Sequence, residues 1–164
     1  MANEQMAMVI NSQYIKDLSL EIPHAPQIFA EVKSQPSIRV DINVRPAKVA
    51  DNLYTVDLTL NLNGEAEGKA LFILELTYAA AVSLNVPAEH LEGVLNIEIP
   101  RLIYPYARNV VTQCLMESGL PPIMLSPLDF AAIYAARQNA AQAAAPKAEE
   151  PAKAEPKKAT KKKK

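Results

Sequence analysis

The residues able to do chemistry at neutral pH are few and scattered. His24 and His90 are the only histidines, far apart in sequence, and neither has a cysteine or serine beside it in a nucleophile motif, so each reads as a surface or loop histidine. Cys114 is the single cysteine, which leaves no internal disulfide and no partner thiols for a zinc site. It falls on an apolar helical stripe and is expected as a buried thiol. Glu65 and Glu67 flank a predicted hairpin turn, where solvated carboxylates are ordinary. Four glycines in the whole chain, in neither a GxGxxG nor a P-loop arrangement, build no phosphate cradle. The chain is therefore expected not to be an enzyme and to need no metal and no cofactor.

The elements that must position any binding surface are strands first. Leu18, Leu20 and Ile22 alternate with Asp17, Ser19 and Glu21; Ile38, Val40, Ile42 and Val44 alternate with Arg39, Asp41, Asn43 and Arg45. Tyr54, Val56, Leu58, Leu60 and Leu62 alternate with Thr55, Asp57, Thr59 and Asn61. Asn63-Gly64 follows, a dipeptide suited to the two positive φ angles of a type I′ turn, and a return strand is expected from about Ala66 to Ala79. Four strands with one apolar face form an antiparallel sheet that something must cover.

The cover comes from the C-terminal half, where the period becomes helical. Pro105 suits the first turn of a helix whose stripe is Ala107, Val110, Val111, Cys114 and Leu115, ending before Gly119. A shorter helix is expected with Ser126 as N-cap, Pro127 at the first helical position and Asp129 facing the free amides, ahead of Phe130, Ile133 and Tyr134. Pro87 to Ile103 is expected to be partly helical at best, because Gly93 and Pro100 interrupt it.

One strand departs from the alternation. In the return strand Ala70, Phe72, Leu74 and Leu76 face inward, yet the opposite set is Lys69, Leu71, Ile73, Glu75 and Thr77. Leu71 and Ile73 are large apolar residues on a face the other strands keep polar. Isolated surface apolar residues are common, but a pair bordered by Glu75, with Asp17 and Glu21 projecting on the same polar side of the first strand, reads as an acid-rimmed contact surface.

At 164 residues the chain suits a single core. Residues 1–13 are expected to be a flexible N-terminus, 14–139 the folded domain and 140–164 a disordered tail of Ala, Pro, Lys and Glu. Up to Asn139 there are 15 acidic and 9 basic residues, a net −6; the tail holds 3 Glu and 8 Lys, a net +5. The terminal Lys161–Lys164 run lacks aromatic interleaving and a structured basic face, so it reads as solubilising rather than as a nucleic-acid arm. Met1–Tyr14 has neither the basic start nor the apolar stretch of an export leader, and no run reaches the roughly 18 apolar residues of a membrane helix. A cytoplasmic protein with no membrane insertion is expected.

Two segments carry a resemblance. Tyr14-Ile-Lys-Asp-Leu-Ser-Leu-Glu-Ile-Pro-His-Ala-Pro-Gln-Ile-Phe29 and Tyr104-Pro-Tyr-Ala-Arg-Asn-Val-Val111, continued by Gly119-Leu-Pro-Pro-Ile-Met-Leu-Ser-Pro-Leu-Asp-Phe130, resemble the protein-export chaperone family SecB with the same order and spacing from about Gln13 to Tyr134. The resemblance implies an α+β fold, a four-stranded antiparallel sheet packed with C-terminal helices, assembling as a dimer of dimers. It implies an ATP-independent holding chaperone in the cytosol. Such a chaperone keeps unfolded precursor polypeptides translocation-competent and delivers them to SecA, the motor of the general secretion pathway, whose basic C-terminal segment docks on an acidic patch of the sheet.

Position by position, the resemblance implies Asp17, Glu21, Ile73 and Glu75 as the SecA-binding patch. Its apolar groove positions correspond to Phe29, Tyr54, Phe72, Tyr104 and Tyr106, walled by the crossover from Pro23 to Pro36; Tyr54 and Phe72 lie in strands, and core filling is their alternative role. Three departures stand out. Ala30–Pro36 has no aromatic residue, Ala79 and Ala80 replace glycines usual after the fourth strand, and the tail is long and lysine-rich where the family's is short and often acidic. The alternative is a SecB-like chaperone dedicated to one client, such as a toxin-antitoxin partner.

Overall fold

The structure, a computed structural model, describes residues 7–144. Its elements are β1 (Ala7–Glu21), a short α1 (Ile28–Glu31), β2 (Ser37–Ala50), β3 (Leu53–Ala66), β4 (Lys69–Asn85), α2 (Ala88–Gly93), a π-helical turn (Val94–Glu98), α3 (Ile99–Glu117) and α4 (Phe130–Ala144). The strands form one antiparallel sheet in the order β1-β4-β3-β2, with helices on one face, which is the α+β arrangement expected. The N-terminal boundary differs from expectation: β1 pairs from Ala7 opposite Asn85, so residues 7–13 belong to the sheet and the folded part begins well before Tyr14. At the other end α4 continues to Ala144; the rest of the expected tail, 145–164, lies outside the described residues, as does 1–6.

The β3 alternation holds along its length, with Val56, Leu58, Leu60, Leu62, Gly64 and Ala66 all buried. That includes the dipeptide expected to turn. Asn63-Gly64 lies inside β3, and the chain reverses instead at Glu67-Gly68, whose φ angles of 53° and 77° supply the two left-handed positions a tight hairpin needs. Gly64 serves another purpose, since the Phe72 ring occupies the space where a side chain at 64 would go. The β2–β3 hairpin turns at Asp51-Asn52, Asn52 taking a φ of 58°, which asparagine tolerates better than most residues. β4 then runs on through Ala79 and Ala80, both fully buried, to Asn85.

The fourth strand also corrects the reading of Leu71. Gly64 pairs with Phe72 but Glu65 pairs with Ala70, so Leu71 is an extra residue in the ladder. The bulge breaks the two-residue period locally and Leu71 goes into the core with Phe72, leaving 4% and 0% of their surfaces exposed. Ile73 is left without its apolar companion on the outer face, half-buried.

The helical cover is more extensive than the prolines suggest. From Ala88 to Glu117 the chain is helical throughout, and Pro100 is accommodated at the start of α3 because a π turn precedes it, with the Ile99 amide bonding the Val94 carbonyl five residues back. Pro105 sits inside α3 on its exposed side, where water can satisfy the carbonyl its ring leaves unpaired. Ile99, Ile103, Ala107, Val111 and Leu115 recur every fourth residue and bury completely, and α3 lies across β3 and β4. The start of α4 also differs from expectation. Asp129 is the capping residue, its Oδ1 accepting from the amides of Ala131 (3.0 Å) and Ala132 (3.1 Å), while Ser126 and Pro127 remain outside the helix.

Candidate functional site

No described helix is long and apolar enough to cross a membrane, and among the described residues no three His, Cys, Asp or Glu side chains gather where a metal ion could be held. The surfaces that could bind something are an apolar seam beside the helices and the outer face of the sheet.

The seam lies between edge strand β2 and the irregular segment 120–128. Three side chains of α3 spaced four apart hold that segment by its carbonyls. The Tyr104 hydroxyl donates to Ser126 O (2.7 Å), Arg108 Nη1 to Leu125 O (3.3 Å) and Thr112 Oγ1 to Ile123 O (2.9 Å). Spacing of four places all three donors on one side of the helix, and Pro121, Pro122 and Pro127 keep the segment out of a helix without amide donors of their own. One cavity of about 450 Å³ opens between α1 and this segment, lined by Phe29, Val32, Ile38, Leu71, Leu120 and Ile123. A second, of about 360 Å³, continues it along Ile38, Val40, Ile42, Tyr104, Ile123 and Leu128. Ile38 and Ile123 line both, so the two form one apolar path.

The crossover wall of this path is pinned at its far side. Lys69 Nζ meets Glu31 Oε2 at 2.6 Å, and the Lys33 amide donates to Glu67 Oε1 at 3.4 Å, tying the α1 region to the β3–β4 turn. The hydrogen bond with Lys69 holds the Glu31 carboxyl below its ordinary range and raises the Lys69 ammonium correspondingly.

The five residues the resemblance implies for the groove do not lie together. Phe29 is 47% exposed at the mouth of the seam. Tyr104 is 5% exposed, its ring edge-on to Phe130 with centroids 5.7 Å apart, so it forms part of the floor; burial pushes its phenol upward. Phe72 is wholly buried beneath, a core residue. Tyr54 is half-buried in β3, paired with Val82 and Lys48. Tyr106, two residues and so about 200° round the helix from Tyr104, is 55% exposed and close enough to Tyr78 to help raise its pKa, which burial chiefly elevates. Tyr78 pairs with Ile15 of β1. The helices leave that strand partly uncovered, with Ile15 46%, Leu18 37% and Met8 41% exposed, and on α3 Leu102 is 42% exposed.

The outer face brings the four residues of the acidic reading together. Glu21 stands directly opposite Ile73, Glu75 opposite Ser19 on one side and Asn61 on the other, and Asp17 opposite Thr77. Asp17 and Glu21 are thus the diagonal neighbours of Glu75, and all three carboxylates are exposed around half-buried Ile73. Lys16 is engaged by Asp57 at 2.5 Å, and none of the three patch carboxylates has an ion-pair partner among the described residues. Like charges so placed favour a basic occupant.

Sequence reasoning missed the donors Arg108 and Thr112 and the lining residues Ile38, Val40 and Ile123. The donor spacing of four was visible beside the apolar stripe. Whether an inward strand residue lies at a covered centre or an open edge was not.

The profile of the SecB family, described as preprotein translocase subunit SecB, matches residues 1–141. A protein-export protein SecB of Rhodospirillum rubrum is 44% identical over 137 residues, covering 84% of this chain and 86% of that one. Another, from Paramagnetospirillum magneticum, is 49% identical over 129 residues, covering 78% and 83%. Among solved structures, a SecB-like chaperone of Mycobacterium tuberculosis, in complex with a peptide from an antitoxin, superposes with a TM-score of 0.63 at 15% identity, covering 74% of this chain and 90% of that one; it shares the fold.

Proposed function

The chain belongs to the SecB family of protein-export chaperones, whose role is to chaperone and not to catalyse, and from that premise we propose that it holds unfolded precursors in the seam and passes them to SecA at the acidic outer face. The observation that carries the first half is the continuous apolar path from Phe29 to Leu128, bounded by a strand edge that pairs with no other strand among the described residues. An unfolded chain presents scattered apolar side chains and free backbone groups, and aliphatic lining beside a free edge meets both without reading a sequence. The peptide bound by the M. tuberculosis SecB-like chaperone, which shares this fold, is consistent with a binder of polypeptide segments. No step of holding requires ATP.

The proposed hand-over rests on Asp17, Glu21 and Glu75 around Ile73, an apolar contact with a like-charged rim suited to a basic segment. Self-association into a dimer of dimers is supported by the exposed apolar residues Met8, Ile15 and Leu18 of β1 and Leu102 and Tyr106 of α3, since apolar surface left open by the chain's own helices favours burial by another copy. Four copies linked in this way multiply weak seam contacts into tight retention. Holding precursors before export places the protein in the cytoplasm.

The test is a pair of measurements on the full chain. Light scattering is expected to give four times the 17.9 kDa protomer; a monomer defeats the assembly. D17N/E21Q/E75Q is expected to weaken SecA binding about tenfold, each exposed charge contact contributing about 0.2–1 kcal/mol. Client affinity should stay as it was. Equal loss of both functions, or of neither, would sink the division of labour between the two faces.

A further inference from the structure

The charge pattern of the outer sheet face has a complement within the same chain. Asp17, Glu21 and Glu75 surround Ile73 on the β1–β4 half, and Lys16 is already held by Asp57. Residues 145–164, beyond the described part, contain eight Lys and three Glu, with six of the lysines in the last eight positions. The part of the chain up to Asn139 carries a net −6. We infer that the chain's own C-terminal segment docks on the outer sheet face, Lys157–Lys164 against Asp17, Glu21 and Glu75, and competes there with any basic partner.

Reach permits it. α4 is anchored to β2 by Arg137 Nη1, which donates to Val44 O at 2.6 Å, and β2 is the edge farthest from β1. Crossing the sheet from β2 to β1 spans three strand spacings, about 15 Å. Twenty residues follow Ala144, enough for about 66 Å when extended. Tethering at this length supplies a local concentration on the order of millimolar. Each lysine–carboxylate contact is exposed, weak and screened by salt, so the segment occupies the face part of the time and a stronger basic partner displaces it. Its consequence for SecA rests on the docking reading above; the contact itself does not.

The experiment compares the full-length protein with its K157Q/K158Q/K161Q/K162Q/K163Q/K164Q variant by amide NMR at low salt. The signals of Glu21, Ile73 and Glu75 are expected to differ between the two chains and to converge as salt rises to about 0.5 M, while those of Phe29 and Ile123 stay unchanged. A labelled peptide with the sequence of residues 151–164, added in trans, should bind the variant about threefold more tightly than the parent. Identical outer-face signals in the two chains at low salt overturn the inference, as do changes confined to another surface. If the face responds but the variant binds SecA no better than the parent, the self-contact stands and the SecA-docking reading fails.

Discussion

Gly64 faces Phe72 across the β3–β4 ladder, and the phenyl ring fills the volume that any side chain at 64 would need. Gly64→Ala is therefore expected to lose about 1–3 kcal/mol through overpacking, seen as a lower urea midpoint at unchanged slope. Phe72→Ala alone should cost about 3–5 kcal/mol. The double variant should lose less than the two together, because the cavity left by the ring accepts the added methyl. Simple additivity would mean that the ring does not set the requirement for glycine.

Phe29 and Tyr106 are both exposed aromatics that the resemblance implies for the groove, yet they lie on different surfaces. Phe29→Ala should lower affinity for an unfolded client severalfold, about 1 kcal/mol, with the melting temperature and the solution mass unchanged. Tyr106→Ala should instead move the association equilibrium toward smaller species. Titration calorimetry with a reduced, unfolded client and light scattering separate the two effects.

Asp129 caps α4 with two amide bonds, whereas Ser126 contributes only its carbonyl to Tyr104. Asp129→Ala should destabilise the protein by about 1 kcal/mol. Ser126→Ala should stay within about 0.5 kcal/mol of the parent. Chemical denaturation of both variants gives the comparison, and a reversed order would restore Ser126 as the cap.

The Glu31–Lys69 pair gives the crossover a dependence on pH. Because the Glu31 carboxyl is held below its ordinary range, its contribution is complete above that range and is lost as pH falls through the lowered value; Lys69, raised, loses its share only as pH climbs through its elevated value. An NMR titration should find the Glu31 midpoint moving upward in Lys69→Gln. A midpoint that does not move would mean that the pair is broken in solution.

Much of the fold was legible because its signals are local. Alternation in β3 assigned every inward residue from Val56 to Leu62, and the stripe at Ala107, Val111 and Leu115 assigned the buried face of α3. Two local signals misled. Asn63-Gly64 was expected to turn and Ser126 to cap, but the chain turns at Glu67-Gly68 and Asp129 caps α4; the decisions fell to Phe72, which needs Gly64 inside the strand, and to Tyr104, whose hydroxyl holds the Ser126 carbonyl outside the helix.

By itself the sequence determined that Asp17, Glu21, Ile73 and Glu75 share a sheet face, because side chains on one strand alternate and the polar side was marked by charge. Only the tertiary structure decided that the Leu71 bulge removes half of the expected apolar pair, that Phe72 is core while Phe29 is surface, and that β2, the Tyr104–Arg108–Thr112 row and the 120–128 segment together enclose a seam. The reason is physical: periodicity states which way a side chain points, but burial depends on what comes to lie against it, and that is set by register and packing between residues distant in the chain.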